Sequence, residues 1–83
     1  MKYVKVEDYK SIIIFPTIIN HSEFKCLKPI SAGFCYISTT KVECFGESIG
    51  LSLKSQEEDT FEATKQYCGI EEAIKLLKST KKD

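Results

Sequence analysis

The chain has 83 residues, with 42% hydrophobic side chains, four tyrosines, five phenylalanines and no tryptophan; that is enough apolar material for one folded domain and too little length for two. Twelve basic residues balance twelve acidic ones, and every basic residue is a lysine, so the chain lacks the side chain best suited to bidentate phosphate and guanine recognition, which argues against sequence-specific nucleic-acid binding. No run approaches the ~18 apolar residues of a membrane span, and residues 11–16 are too short for a signal segment, so the expected location is the cytoplasm, where four cysteines stay reduced.

Residues 2–6 predict a strand, residues 7–10 a turn, and the β-branched run Ile12-Ile13-Ile14-Phe15 a second strand that Pro16 ends. A hairpin is the simplest connection between them. In residues 17–27, Asn20 or Ser22 is placed to cap a short helix carrying Phe24 and Leu27 three apart; a loop is the alternative. Residues 30–39 and 41–54 predict two further strands joined by a turn at Thr39-Thr40. That register sets Ile37 opposite Val42 and Cys35 opposite Cys44. One face then carries Cys35, Ile37, Val42 and Cys44, and the other carries Phe34, Tyr36, Glu43 and Phe45. The apolar phase changes between Val42/Cys44 and Ile49/Leu51/Leu53, which requires a bulge or bend, and Gly46 is its natural place. Ser55-Gln56-Glu57-Glu58 is a capping box opening a helix that should end near Cys68, with Phe61, Thr64 and Cys68 on one side. Gly69 fits the position after the helix, and a second helix follows with Ile70, Ala73, Ile74 and Leu77 on one face. The domain is expected to span residues 1–78, with a lysine-rich tail over 79–83.

Gly46-Glu47-Ser48-Ile49-Gly50 matches G-x-S-x-G, the nucleophile-elbow pattern. An elbow needs a helix after the serine, and Ile49 to Lys54 alternates with a period of two instead. The match is better explained by structure: Gly46 for the bend, Gly50 for a close backbone approach. His21 is the lone histidine, in the polar segment Asn20-His21-Ser22. That setting suggests a solvent-facing or capping residue rather than a triad member. None of Cys26, Cys35, Cys44 and Cys68 forms C-x-x-C, so they are expected to be core thiols, with a His21/Cys26/Cys35/Cys44 zinc site as the sharp alternative and oxidation of the cross-strand neighbours Cys35 and Cys44, in an often strained geometry, as another. No metal or cofactor is expected. The acidic start Glu57, Glu58, Asp59 and Glu62 complements the helix dipole, with docking of a basic partner as the second reading.

Three segments, Ser31-Ala32-Gly33-Phe34, Cys44-Phe45-Gly46-Glu47-Ser48 and Leu51-Ser52-Leu53-Lys54-Ser55, resemble small uncharacterised proteins of bacteriophages and prophages. The resemblance covers residues 30–58, about a third of the chain. It implies a small accessory protein that binds a host component, and it carries no catalytic residues over.

The sequence therefore predicts an α+β domain. Its antiparallel sheet of about four strands forms two hairpins with helices on one face, in the order strand, strand, short helix, strand, strand, helix, helix. The expected function is non-enzymatic protein binding, by a homodimer, through an aromatic sheet face or an open edge. The binding residues are Phe34, Tyr36 and Phe45, with Gly46, Glu47 and Ser48 beside them. The alternatives are a protein that sequesters a small phosphorylated or nucleotide-like ligand near Gly46 and Gly50, and a hydrolase using Ser48 or a cysteine with His21.

Overall fold

A computed structural model describes residues 1–80. The sheet is antiparallel with strand order β2-β1-β3-β4, built from β1 (Lys2–Val6), β2 (Ile12–Phe15), β3 (Pro29–Ile37) and β4 (Val42–Phe45). The two expected hairpins are present, and β1 joins them by pairing with both β2 and β3. The β3–β4 register is the expected one, with Ile37 opposite Val42 and Cys35 opposite Cys44. A tight turn sets it, closed by a hydrogen bond from Ser38 N to Lys41 O at 2.9 Å.

β2 and β3 run in the same direction on either side of β1, so residues 16–28 must cross over β1. They do so as a short 3-10 helix, His21–Leu27, which packs over β1 and β3. Val4, Val6, Phe15 and Ala32 form the core beneath it, with Phe24 and Ile19 packed against them. The opposite face holds Tyr3, Ile12, Cys35 and Val42 against Ala63 of α1 (Asp59–Cys68). α2 (Ile70–Thr80) packs on α1. Both faces are thus covered, which explains why both carry apolar residues.

Several local expectations change. The fourth strand does not run on to Lys54. It stops at Phe45, and Gly46 turns the chain with φ of +78° into a second two-stranded sheet. The strands of this sheet are β5 (Glu47–Ser48) and β6 (Leu53–Lys54). Residues 49–52 form the turn between them, with Ser52 N donating to Ile49 O. The period of two in Ile49-Gly50-Leu51 reflects one half-buried leucine, Leu51, reaching the core from a turn. Gly50 has open space around its α-carbon; the close approach falls at Gly33, where an added Cβ would lie 2.3 Å from Phe45 O. α2 continues to Thr80, two residues past the expected end of the domain, and the rest of the expected tail, residues 81–83, lies outside the described residues.

The capping box is displaced by one residue. Asp59, not Glu58, reaches back to a backbone N–H, accepting from Gln56 N at 2.9 Å. The reason is a buried polar cluster on β1. Asp59 Oδ1 meets Lys5 Nζ at 2.6 Å, and Tyr3 Oη donates to Asp59 Oδ2 at 2.5 Å. All three side chains are essentially sealed from solvent. Burial alone would raise the Asp59 pKa, but Lys5, Tyr3 and the Gln56 N–H outweigh it and hold the carboxyl below its ordinary value. Burial, then the adjoining carboxylate, push the Tyr3 phenol well above its ordinary range.

α1 also satisfies the outer backbone of both edge strands. Thr64 and Thr60 accept from Val42 N and Cys44 N at 3.0 and 2.9 Å. On the other edge, Gln66 accepts from Ile12 N at 2.9 Å and donates to Ile12 O at 2.7 Å. The sheet curls around one helix, and that helix closes much of both edges.

Candidate functional site

Phe34 and Phe45 are partners across β3 and β4 on the face away from α1. Their rings stack with centroids 6.2 Å apart. Gly46 makes this possible, because its α-carbon lies against the Phe34 ring and a Cβ there would come within 3.1 Å of it. His21 stands edge-on to Phe34 at 5.8 Å and to Phe15 at 5.5 Å, and Phe15 in turn packs on Phe24. The result is a continuous aromatic row that leaves the core at Phe15 and emerges at Phe45, which is 50% exposed. Tyr36, two residues along β3 from Phe34, is 67% exposed on the same face. Edge-on and offset contacts of this kind fix ring positions as well as burying area. The exposed end of the row is therefore held by the core.

Beside the row lies an open hollow of about 540 Å³, lined among others by Lys2, His21, Phe34, Gly46, Glu47 and Ser48. Four of the six expected binding residues meet there. Phe45 joins them through its stack on Phe34, and Tyr36 stands outside the hollow on the neighbouring surface. Ile49 projects from the rim at 86% exposure.

His21 is not the solvent-facing residue its polar neighbours suggest. It is buried, with Nε2 2.8 Å from Gly33 O. A carbonyl can only accept, so Nε2 carries the proton in that contact. The signal for this role was weak: the crossover forced by the β2-β1-β3 order brings His21 over Phe15 and Phe34, and that order is not visible in local periodicity. Lys2 was likewise missed; its Nζ donates to Ile19 O at 2.9 Å and ties the crossover to β1.

Ser48 is also buried, and its Oγ accepts from Leu51 N at 3.3 Å, closing the turn that follows. It sits in a strand–turn–strand unit rather than a strand–turn–helix elbow. The four residues of the alternative zinc site do not come together: Cys35 and Cys44 lie beneath α1, Cys26 is exposed on the crossover, and His21 is on the far side of the sheet. Among the described residues, no group of three or more His, Cys, Asp or Glu is placed to hold a metal ion. Among them also, no helix is long and apolar enough to cross a membrane.

No family model, no curated protein and no solved structure matches the chain.

Proposed function

We propose that this chain is a small intracellular, non-enzymatic protein-binding module whose working surface is the Phe34–Phe45–Tyr36 row with the adjoining hollow. The observation that carries the reading is the exposure of Phe45 at the end of an aromatic row anchored in the core, with the exposed Tyr36 beside it on the same face. Rigid aromatic side chains give large contact area for little ordering cost, the usual character of energetic anchors in interfaces. The charges nearby are mixed: Lys41 pairs with Glu43 at 3.5 Å, and Lys2 and Glu47 share the hollow. That mixture suits a neutral protein surface with apolar side chains better than a polyanion. It also weakens the ligand-sequestering alternative, because among the described residues Lys2 is the sole lysine lining the hollow, and its ammonium already donates to Ile19 O.

Of the two expected routes, the face is favoured over the edge, since α1 side chains already occupy the outer backbone groups of Ile12, Val42 and Cys44. Taken with the resemblance to phage and prophage accessory proteins, the partner is a host-cell protein, and the module acts as a homodimer or presents the same face singly. The test compares wild type with Tyr36→Glu and Phe45→Glu as baits in one host lysate. Circular dichroism should be unchanged, because both side chains are largely exposed. Proteins retained by wild type should fall at least tenfold on each variant, as expected for loss of a ~2 kcal/mol anchor. Equal retention on all three baits would remove the reading.

A further inference from the structure

Cys35 and Cys44 are direct partners across β3 and β4. Partners in an antiparallel ladder alternate between pairs that exchange backbone hydrogen bonds and pairs that do not. Ser38 and Lys41 are bonded across the turn. Counting back along the strands makes Ile37–Val42 non-bonded, Tyr36–Glu43 bonded and Cys35–Cys44 non-bonded. The helix contacts agree: the backbone N–H groups of Val42 and Cys44 turn away from β3 to Thr64 and Thr60. A non-bonded pair has α-carbons ~4.5 Å apart, inside the ~4.4–6.8 Å that a disulfide spans. Both side chains lie on the α1 side of the sheet, and both thiols are free. Neither Cys26 nor Cys68 is paired in register with another cysteine. Cys44 also lines an open groove of about 780 Å³ between β4 and the helices, so a reagent in solution can approach it. Cys35 is buried, with Cys44 as its in-register neighbour.

We propose that Cys35 and Cys44 are a reversible disulfide-forming site, oxidised by a small disulfide such as oxidised glutathione that enters at Cys44. In the first step the Cys44 thiol gives up its proton and its sulfur attacks the glutathione disulfide, releasing one glutathione thiolate, which takes a proton. In the second, the Cys35 sulfur, deprotonated in turn, attacks the Cys44 sulfur of the mixed disulfide and releases the second glutathione. The two cysteines lose two electrons and two protons, and glutathione disulfide gains them. Burial, with Cys35 and Asp59 nearby, pushes the Cys44 thiol up to about 12; thiolate is therefore scarce at neutral pH and exchange is slow. The pair lies directly behind Phe34, Tyr36 and Phe45 on the same two strands, so closing it fixes the spacing on which the aromatic row is displayed.

The test uses the double variant Cys26→Ser/Cys68→Ser, which keeps only this pair. It is equilibrated with oxidised glutathione in the folded state, and separately refolded in the same buffer. Each sample is then denatured, alkylated with N-ethylmaleimide and weighed intact. The expected product in both is a monomer about 2 Da lighter than the reduced chain, unalkylated and restored by dithiothreitol. Persisting glutathione adducts, covalent dimers or two alkylated thiols in either preparation overturn the proposal.

Discussion

At the residue scale, the glycines and the buried polar cluster set the sharpest expectations. Gly33 leaves room for the Phe45 carbonyl, which a Cβ would meet at 2.3 Å, while nothing lies within 4 Å of the position a Gly50 Cβ would take. Gly33→Ala should therefore cost about 1–3 kcal/mol or more by overpacking, and Gly50→Ala should stay within about 0.5 kcal/mol of wild type; urea unfolding midpoints check both. Lys5, Asp59 and Tyr3 behave as a unit. Asp59→Asn removes the nearest and fully buried counter-charge of the Lys5 ammonium, leaving the mostly exposed Glu58 carboxylate at 3.8 Å, and should cost about 3–5 kcal/mol. Replacing the set together, Tyr3→Phe/Lys5→Met/Asp59→Leu, removes the stranded charge and should recover most of that loss. A triple variant no more stable than Asp59→Asn would show that the cluster contributes more than the cost of burying it. This cluster was hard to see in the sequence. Lys5 alternates with Val4 and Val6 as a solvent-face lysine would, and Asp59 stands in an acidic run whose members look alike. Helical phase was the available signal, since Asp59 lies one turn before Ala63, the residue α1 presses into the core.

At the element scale, strand pairing was legible where a turn and a pattern agreed. Thr39-Thr40 fixed one turn, and the alternation of Cys35, Ile37, Val42 and Cys44 fixed the faces, so the β3–β4 register followed. The segment after Phe45 misled because Leu51 and Leu53 do reach the core, but from a turn and a two-residue strand rather than from a continuous β4. The edge caps on α1 were invisible, since threonine and glutamine in a helix announce no partner. They predict that Thr64→Val, which removes the hydroxyl bonded to Val42 N at 3.0 Å, costs about 1–3 kcal/mol by leaving a buried N–H unpaired. Gln66→Leu, which frees Ile12 N–H on the β2 edge while Tyr67 Oη still donates to Ile12 O at 2.6 Å, should add concentration-dependent association detectable by sedimentation velocity. A monodisperse Gln66→Leu would mean the β2 edge is protected by something other than this cap.

At the scale of the whole molecule, titration and shape both follow from burial. Asp59 has a lowered pKa, so its contribution is full above the ordinary carboxyl value of 3.8 and is lost as pH falls below it. The Tyr3, Cys35 and Cys44 values are raised, so the unfolded chain releases protons that the native chain keeps once pH passes the ordinary thiol value of 9.0 and phenol value of 10.0. The thermal midpoint should hold a plateau between these limits and fall on both sides; a midpoint unchanged from pH 9 to 11 would contradict the alkaline arm. The candidate site was legible in its residues and not in its surroundings. Phe34, Tyr36 and Phe45 were identified from alternation alone, whereas His21 and Lys2 joined them only because the chain crosses over β1.

That one end of the sheet is the working surface is tested most directly by site-specific photo-crosslinking. A photoreactive phenylalanine analogue replaces Tyr36 in one protein and Tyr9 in another. Tyr9 is an equally suitable probe because it is 98% exposed, in the β1–β2 turn at the opposite end of the sheet. Irradiation in host cells should give a covalent adduct of discrete mass from position 36 and none from position 9. No adduct at position 36, or the same adducts from both positions, would contradict the account.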